Sequence, residues 1–92
     1  MMPVVAESLR AKLTAAFSPS SLQIDDESAR HAGHAGAREG GESHFNVVIE
    51  SAAFEGVPRV ARQRMVYAAV AEELAGPVHA LSVKALAPGE RG

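Results

Sequence analysis

Val5, Leu9, Leu13 and Phe17 recur at every fourth residue, the spacing that places them on one face of an amphipathic helix. Pro3 suits the first turn of that helix, and Ser18-Pro19 ends it. The pattern then changes to strict alternation. Leu22 and Ile24 stand among Gln23, Asp25 and Glu27, and Phe45, Val47 and Ile49 stand against His44, Asn46 and Glu50. A period of two predicts two half-buried strands, which pair antiparallel because they lie close in sequence. Phe54-Glu55-Gly56-Val57-Pro58 reads as a turn into a second helix, with Pro58 near its first position. A helical wheel puts Val60, Gln63, Tyr67, Val70 and Leu74 on one stripe, flanked by Val66 and Ala71, until Gly76-Pro77 stops the helix. A final strand runs from about Val78 to Leu86, with His79, Leu81, Val83 and Ala85 sharing one phase.

The order helix, strand, strand, helix, strand predicts an α+β domain. A helical crossover between the last two strands implies a parallel pair with a right-handed connection. The result is a three-stranded mixed sheet with helices on one face and the other face, which includes His44, left open. Residues 29 to 41 interrupt the pattern with four glycines and no periodicity. Structureless connections of about 12 to 15 residues are uncommon in compact domains and are usually functional or disordered. Pro88 to Gly92 reads as a frayed tail, leaving a core of about 4–87 within one domain, 1–92.

Composition narrows the chemistry. The chain is 47 % hydrophobic, yet it has three Phe, one Tyr and no Trp, so Val, Leu, Ile and Ala must build the core. A net charge of -2 gives no global attraction to nucleic acid or anionic lipid. The absence of cysteine excludes disulfides and thiol catalysis. The longest apolar run, Met65 to Ala71, is far short of the roughly 20 residues that span a bilayer, and no secretory signal opens the chain. The expectation is a cytoplasmic protein without membrane contact. Catalysis finds no motif: there is no Gly-x-Ser-x-Gly turn and no His-Glu-x-x-His helix. Asp25, Asp26 and Glu27 are consecutive on a strand, so neighbours point to opposite faces rather than flanking one substrate. An enzyme is not expected.

Four histidines without any cysteine are half of a soft-metal site. Two imidazoles can replace two thiolates on one iron of a 2Fe-2S centre, but the other iron needs thiolates from elsewhere. His31 and His34 lie in the Gly-rich connector, where solvated side chains are the plainer reading and a lone His-x-x-His is a weak motif. His79 shares the phase of Leu81 and Val83, so the plainer reading there is a half-buried histidine bonded to backbone. His44 projects opposite to Phe45, a surface position. Arg59, Arg62 and Arg64, with Lys84 and Arg38, form either a solvated helix flank or a basic patch for glutathione, an acidic partner or DNA.

Asp26-Glu27-Ser28, His31, His34, Gly41-Glu42-Ser43-His44-Phe45, Phe54-Glu55-Gly56, Arg62-Gln63-Arg64-Met65-Val66-Tyr67, Glu72-Glu73-Leu74 and Val78-His79-Ala80-Leu81 follow one another in order. This succession, over roughly residues 4 to 88, resembles the BolA family. The resemblance implies a class II KH-like fold, helix-strand-strand-helix-helix-strand, with a short helical turn near Val57 that the residue pattern alone does not separate. It implies a heterodimer with a monothiol glutaredoxin that carries a glutathione-ligated 2Fe-2S cluster, in iron-sulfur cluster trafficking or iron sensing. His79 of the Val-His-Ala-Leu motif is then the expected metal ligand. The second comes from the connector, where His31 is the closest positional match and His34 and His44 are the other candidates. The isolated chain is expected to bind no cluster.

One departure stands out. Family members commonly have Arg-His-Arg where this chain has Arg62-Gln63-Arg64; the wheel places position 63 in the buried stripe, so a packing and hydrogen-bonding role is expected there, and Gln63 offers both a donor and an acceptor. The alternative function is a DNA-binding transcriptional regulator that uses the KH-like fold and its arginines. Against it, no Gly-x-x-Gly clamp occurs at residues 53 to 62.

Overall fold

The computed structural model describes residues 4–26 and 44–90. His31, His34, Arg38 and the Gly-rich stretch lie outside the described residues. Among the described residues the elements run α1 (Val4–Phe17), β1 (Ser21–Asp26), β2 (His44–Glu50), a 3-10 turn (Ala52–Phe54), α2 (Arg59–Ala69), α3 (Ala71–Ala75) and β3 (Ala80–Leu86). The sheet order is β1-β2-β3, antiparallel between β1 and β2 and parallel between β2 and β3. This is the expected three-stranded mixed sheet.

Alternation along β2 positions the core. Phe45, Val47 and Ile49 are buried and pack with Leu9, Leu13 and Phe17 of α1 and with Val66 and Val70 of the helical crossover. Leu22 pairs with Ile49 and Ile24 with Val47, so β1 adds its apolar residues to the same face. Ser51 joins the layers: it is buried, its hydroxyl donates to the Phe17 carbonyl at 2.7 Å, and it accepts from the Ala53 N–H at 3.1 Å. One residue thus satisfies the end of α1 and the start of the 3-10 turn. Gly56 follows with φ of 75°, the left-handed conformation that lets the chain turn into α2.

The helical crossover differs from the wheel in two ways. It breaks at Val70 (φ −117°, ψ 30°) into α2 and α3, which supplies the second helix of the pair; the additional 3-10 turn sits at Ala52–Phe54 rather than at Val57. Its buried stripe is also shifted. Val60 is 63 % exposed and Tyr67 38 %, whereas Arg62, Val66, Val70 and Glu73 are buried. Hydrophobicity misleads here because Arg62 is a buried cation whose three guanidinium nitrogens all donate hydrogen bonds. Its Nε donates to Val57 O at 2.7 Å and Nη1 to Ala85 O at 3.0 Å, and the guanidinium pairs with both carboxylate oxygens of Glu90 at 2.6 and 3.0 Å. Two-point pairing of this kind is what a planar guanidinium does best. The last residues are consequently not all frayed: Glu90 also accepts from the Ala87 N–H at 3.0 Å.

Glu73, the other buried charge among the described residues, links α3 to α1. Burial acts to raise its pKa, but hydrogen bonds from the Ser8 hydroxyl and the Lys12 ammonium outweigh it and hold the carboxyl below its ordinary range. Lys12 also pairs with Glu72.

The edge of the sheet explains Gln63. Ser51 N–H donates to Leu86 O, so Leu86 turns its backbone groups toward β2, and in a parallel strand every second residue does the same. Leu81, Val83 and Ala85 therefore turn theirs outward. Tyr67 Oη donates to Leu81 O at 3.0 Å, Gln63 Nε2 to Val83 O at 2.6 Å and Arg62 Nη1 to Ala85 O at 3.0 Å. Three side chains of one helix thus answer the carbonyls of an edge strand, which protects the edge against pairing with another chain. The expected hydrogen-bonding role of position 63 is met by the amide. Gln63→Leu is expected to cost about 1 kcal/mol in urea denaturation, and Gln63→His, which restores a donor, to recover most of it. Equal losses for both variants would count against this role.

Candidate functional site

His44 opens β2, and its register partner on the neighbouring parallel strand is Ala80. His79 immediately precedes that residue. The two imidazoles lie at one end of the sheet with ring centroids 6.4 Å apart and planes inclined at 48°. Both residues are exposed. The shared phase expected for His79, Leu81, Val83 and Ala85 does not extend back to His79. β3 begins at Ala80, Val78 is the buried residue before it, and the strand alternation holds only from Leu81 onward. His79 is accordingly directed away from the core, and its expected half-burial is corrected.

The same end of the sheet is where β1 ends and β2 begins, since Asp26 pairs with Phe45. His31 follows Asp26 by five residues in sequence and lies outside the described residues. The described part of the site is thus His79 with His44 beside it. Sequence phase placed His44 on the surface correctly but gave no sign that it neighbours His79, because the β2–β3 register is a tertiary property. Among the described residues, no group of three or more His, Cys, Asp or Glu is placed to hold a metal ion.

The basic patch does not assemble as expected. Arg62 is 6 % exposed and committed to Glu90, so it presents no charge to a partner. Arg59 and Arg64 are exposed on α2, in the helical layer. Lys84 is exposed with the parity of the uncovered sheet face, opposite that layer. The four cations therefore lie on two sides of the sheet plus its interior. Arg62 and Glu90 were missed as a pair because neither residue's neighbours in sequence signal burial.

Comparison with known proteins gives a consistent result. The family model described as BolA-like protein matches residues 13–90. BolA-like protein 1 of Mus musculus is 45 % identical over 86 residues, covering 94 % of this chain and 60 % of its own length. The chain therefore spans about 60 % of the length of such relatives. The DNA-binding transcriptional regulator BolA of Escherichia coli is 45 % identical over 80 residues, covering 87 % of this chain and 72 % of the regulator. Among solved structures, BolA1 from Arabidopsis thaliana superposes with a TM-score of 0.80 at 40 % identity, covering 96 % of both chains. The BolA domain of SufE1 from Arabidopsis thaliana superposes with a TM-score of 0.78 at 40 % identity, covering 92 % of this chain and 93 % of that one. No helix among the described residues is long and apolar enough to cross a membrane. A chloroplastic Arabidopsis protein is 46 % identical over 87 residues, covering 92 % of this chain and 54 % of its own length, so the compartment is not a constant of these relatives.

Proposed function

Because the chain belongs to the BolA-like family, we propose that it is an adaptor that docks a monothiol glutaredoxin and shares a glutathione-ligated 2Fe-2S cluster, in cluster trafficking or iron sensing. The observation that carries this reading is the position of His79: an exposed imidazole at the end of the sheet where the His31 and His34 segment departs from β1 and returns to β2. The donor chemistry fits one half of such a cluster. This chain offers imidazoles and no thiolate, which suits one iron of a 2Fe-2S centre, and the thiolates for the other come from the partner and glutathione. His79 and His31 are the assigned ligands, with His34 as the alternative in the connector. The protein's own contribution is to hold His79 at a fixed point, between buried Val78 and buried Leu81, while presenting it to a docked surface. The BolA-like family is not known for catalysis.

Mixing the chain with a glutaredoxin reconstituted with iron, sulfide and glutathione tests the reading. Visible absorption and circular dichroism are expected to change on mixing, and His79→Ala is expected to abolish the change. A spectrum unaffected by the wild type, or affected equally by the variant, would overturn it.

The name of the Escherichia coli relative favours a second reading, regulation through DNA. Here Arg59 and Arg64 of α2 would meet the phosphate backbone. Binding to duplex DNA with a steep salt dependence, weakened by Arg59→Ala and Arg64→Ala, is its expected signature.

A further inference from the structure

Between α1 and α3, Val5, Ser8, Glu72, Glu73 and Pro77 line an open cleft of about 200 Å³ whose walls are mostly apolar. Pockets for cofactors and drug-sized ligands run from about 300 to 1,000 Å³, so this one has room for a single side chain. Charge at its rim is unbalanced. The Lys12 ammonium pairs with Glu72 and, at 2.9 Å, with Glu73, so one cation answers two carboxylates. Glu73 is buried and also accepts from the Ser8 hydroxyl, which commits it to the interior. Glu72 is placed differently: its side chain is 87 % exposed, and an exposed ion pair is weak enough to exchange. The cleft therefore joins apolar walls to one exchangeable carboxylate. Its place in the fold matters as well. The Glu73 carbonyl accepts from the Val78 N–H at 2.9 Å, which ties α3 to the turn that leads into β3. Pro77, one wall of the cleft, stands two residues ahead of His79.

We propose that this cleft receives one lysine or arginine side chain of the protein that docks beside His79, with its alkyl stem against Val5 and Pro77 and its cation on Glu72. The identity of that protein, a glutaredoxin, rests on the adaptor reading; the chemistry of the side chain rests on the cleft. Long basic side chains lay an apolar stem along apolar surface while the charged head stays in water, which is the combination the cleft offers. An acidic side chain would instead meet two carboxylates, and a purely apolar one would leave the excess charge unanswered. The entering cation takes Glu72 from Lys12 but leaves the Lys12 pairing to Glu73 in place, so no buried charge loses its partner. Opposite charge at such a rim also selects the partner and its orientation.

Two titrations of the full chain test the proposal. In the first, n-butylammonium chloride, which carries the stem and the cation alone, is added at constant ionic strength and followed by nuclear magnetic resonance, with n-butanol and sodium butyrate for comparison. The expected result is a saturable shift centred on Val5, Ser8, Glu72 and Pro77, weaker with butanol, absent with butyrate and lost in Glu72→Lys. In the second, the cluster-loaded glutaredoxin is titrated with the wild type and with Glu72→Lys, a change at an exposed position that the fold tolerates. The variant should bind about tenfold more weakly and reach the same cluster spectrum at saturation, whereas His79→Ala alters the spectrum itself. Glu55→Lys makes the same change of charge at an exposed position in the turn beyond β2 and should affect neither titration. A lack of saturable butylammonium binding, an equal response to butanol, a glutaredoxin affinity unmoved by Glu72→Lys, or an equal effect of Glu55→Lys overturns the proposal. A wild type that does not bind glutaredoxin would overturn the adaptor reading instead, and the butylammonium titration would still decide the cleft.

Discussion

Phe54→Ala is expected to destabilise the protein by about 3–5 kcal/mol, measured as a fall in the urea midpoint with an unchanged slope. Phe54 is fully buried although it belongs to a short 3-10 turn, and its ring centroid lies 5.0 Å from that of Phe17, tilted by 39°. Such tilted pairs contribute about 0.5–1.5 kcal/mol beyond the area they bury. The turn places Phe54 beneath the end of α1, while Ser51 bonds the last carbonyl of that helix, so side-chain and backbone contacts converge on one joint. A domain of this size has a total stability on the order of 5–14 kcal/mol, so the substitution removes a large share of it. Phe54→Leu, which leaves a smaller cavity, should recover part of the loss. A measured cost below about 1 kcal/mol for the alanine variant would show that the turn collapses onto the vacancy and is not the joint described.

The second large effect lies at Arg62. Replacing it with methionine keeps much of the aliphatic stem but removes the guanidinium donors from Val57 O, Ala85 O and the Glu90 carboxylate, leaving Glu90 its bond from the Ala87 N–H. The urea midpoint should fall well beyond the change caused by Arg59→Ala or Arg64→Ala, which are exposed and expected to stay within about 0.5 kcal/mol. The mechanism also carries a pH signature. Hydrogen bonding from the Arg62 guanidinium, helped by the Ala87 N–H, lowers the Glu90 pKa from an ordinary 4.5 to about 2. A carboxyl whose folded value is depressed contributes stability above its unfolded pKa, and that contribution is lost as pH falls through the folded pKa. The gap in stability between wild type and Arg62→Met should therefore be widest above pH 4.5 and narrow toward pH 2. It should not vanish, because the bonds to Val57 O and Ala85 O do not depend on Glu90. A gap that stays constant across this window would show that Arg62 acts through packing alone. Glu90→Gln offers an independent check, since it should remove the same pH dependence while leaving Arg62 in place.

The uneven legibility of the sequence has a common cause in these residues. Val5, Leu9, Leu13 and Phe17, and the alternations at Leu22 and Phe45, specify α1, β1 and β2 because local periodicity reports which face is dry. Along α2 the same method placed Val60 inside and overlooked Arg62. Hydrophobicity ranks a side chain by its cost of burial alone, and two of the three partners that offset the cost of Arg62, Ala85 and Glu90, sit 23 and 28 residues away. Gln63 was readable as a hydrogen-bonding residue, yet its acceptor, Val83 O, is defined only once β3 becomes an edge strand.

The site divides the same way. The element order, the mixed sheet, the outward direction of His44 and an inventory of imidazoles without thiolates were all legible in the residue pattern, because each follows from residue type or from short-range period. Tertiary structure alone decided that His79 escapes the phase of its strand, that His44 stands beside it, and that Arg62 leaves the basic patch for the interior. Each of these depends on strand register or on a partner distant in sequence, which local periodicity does not encode.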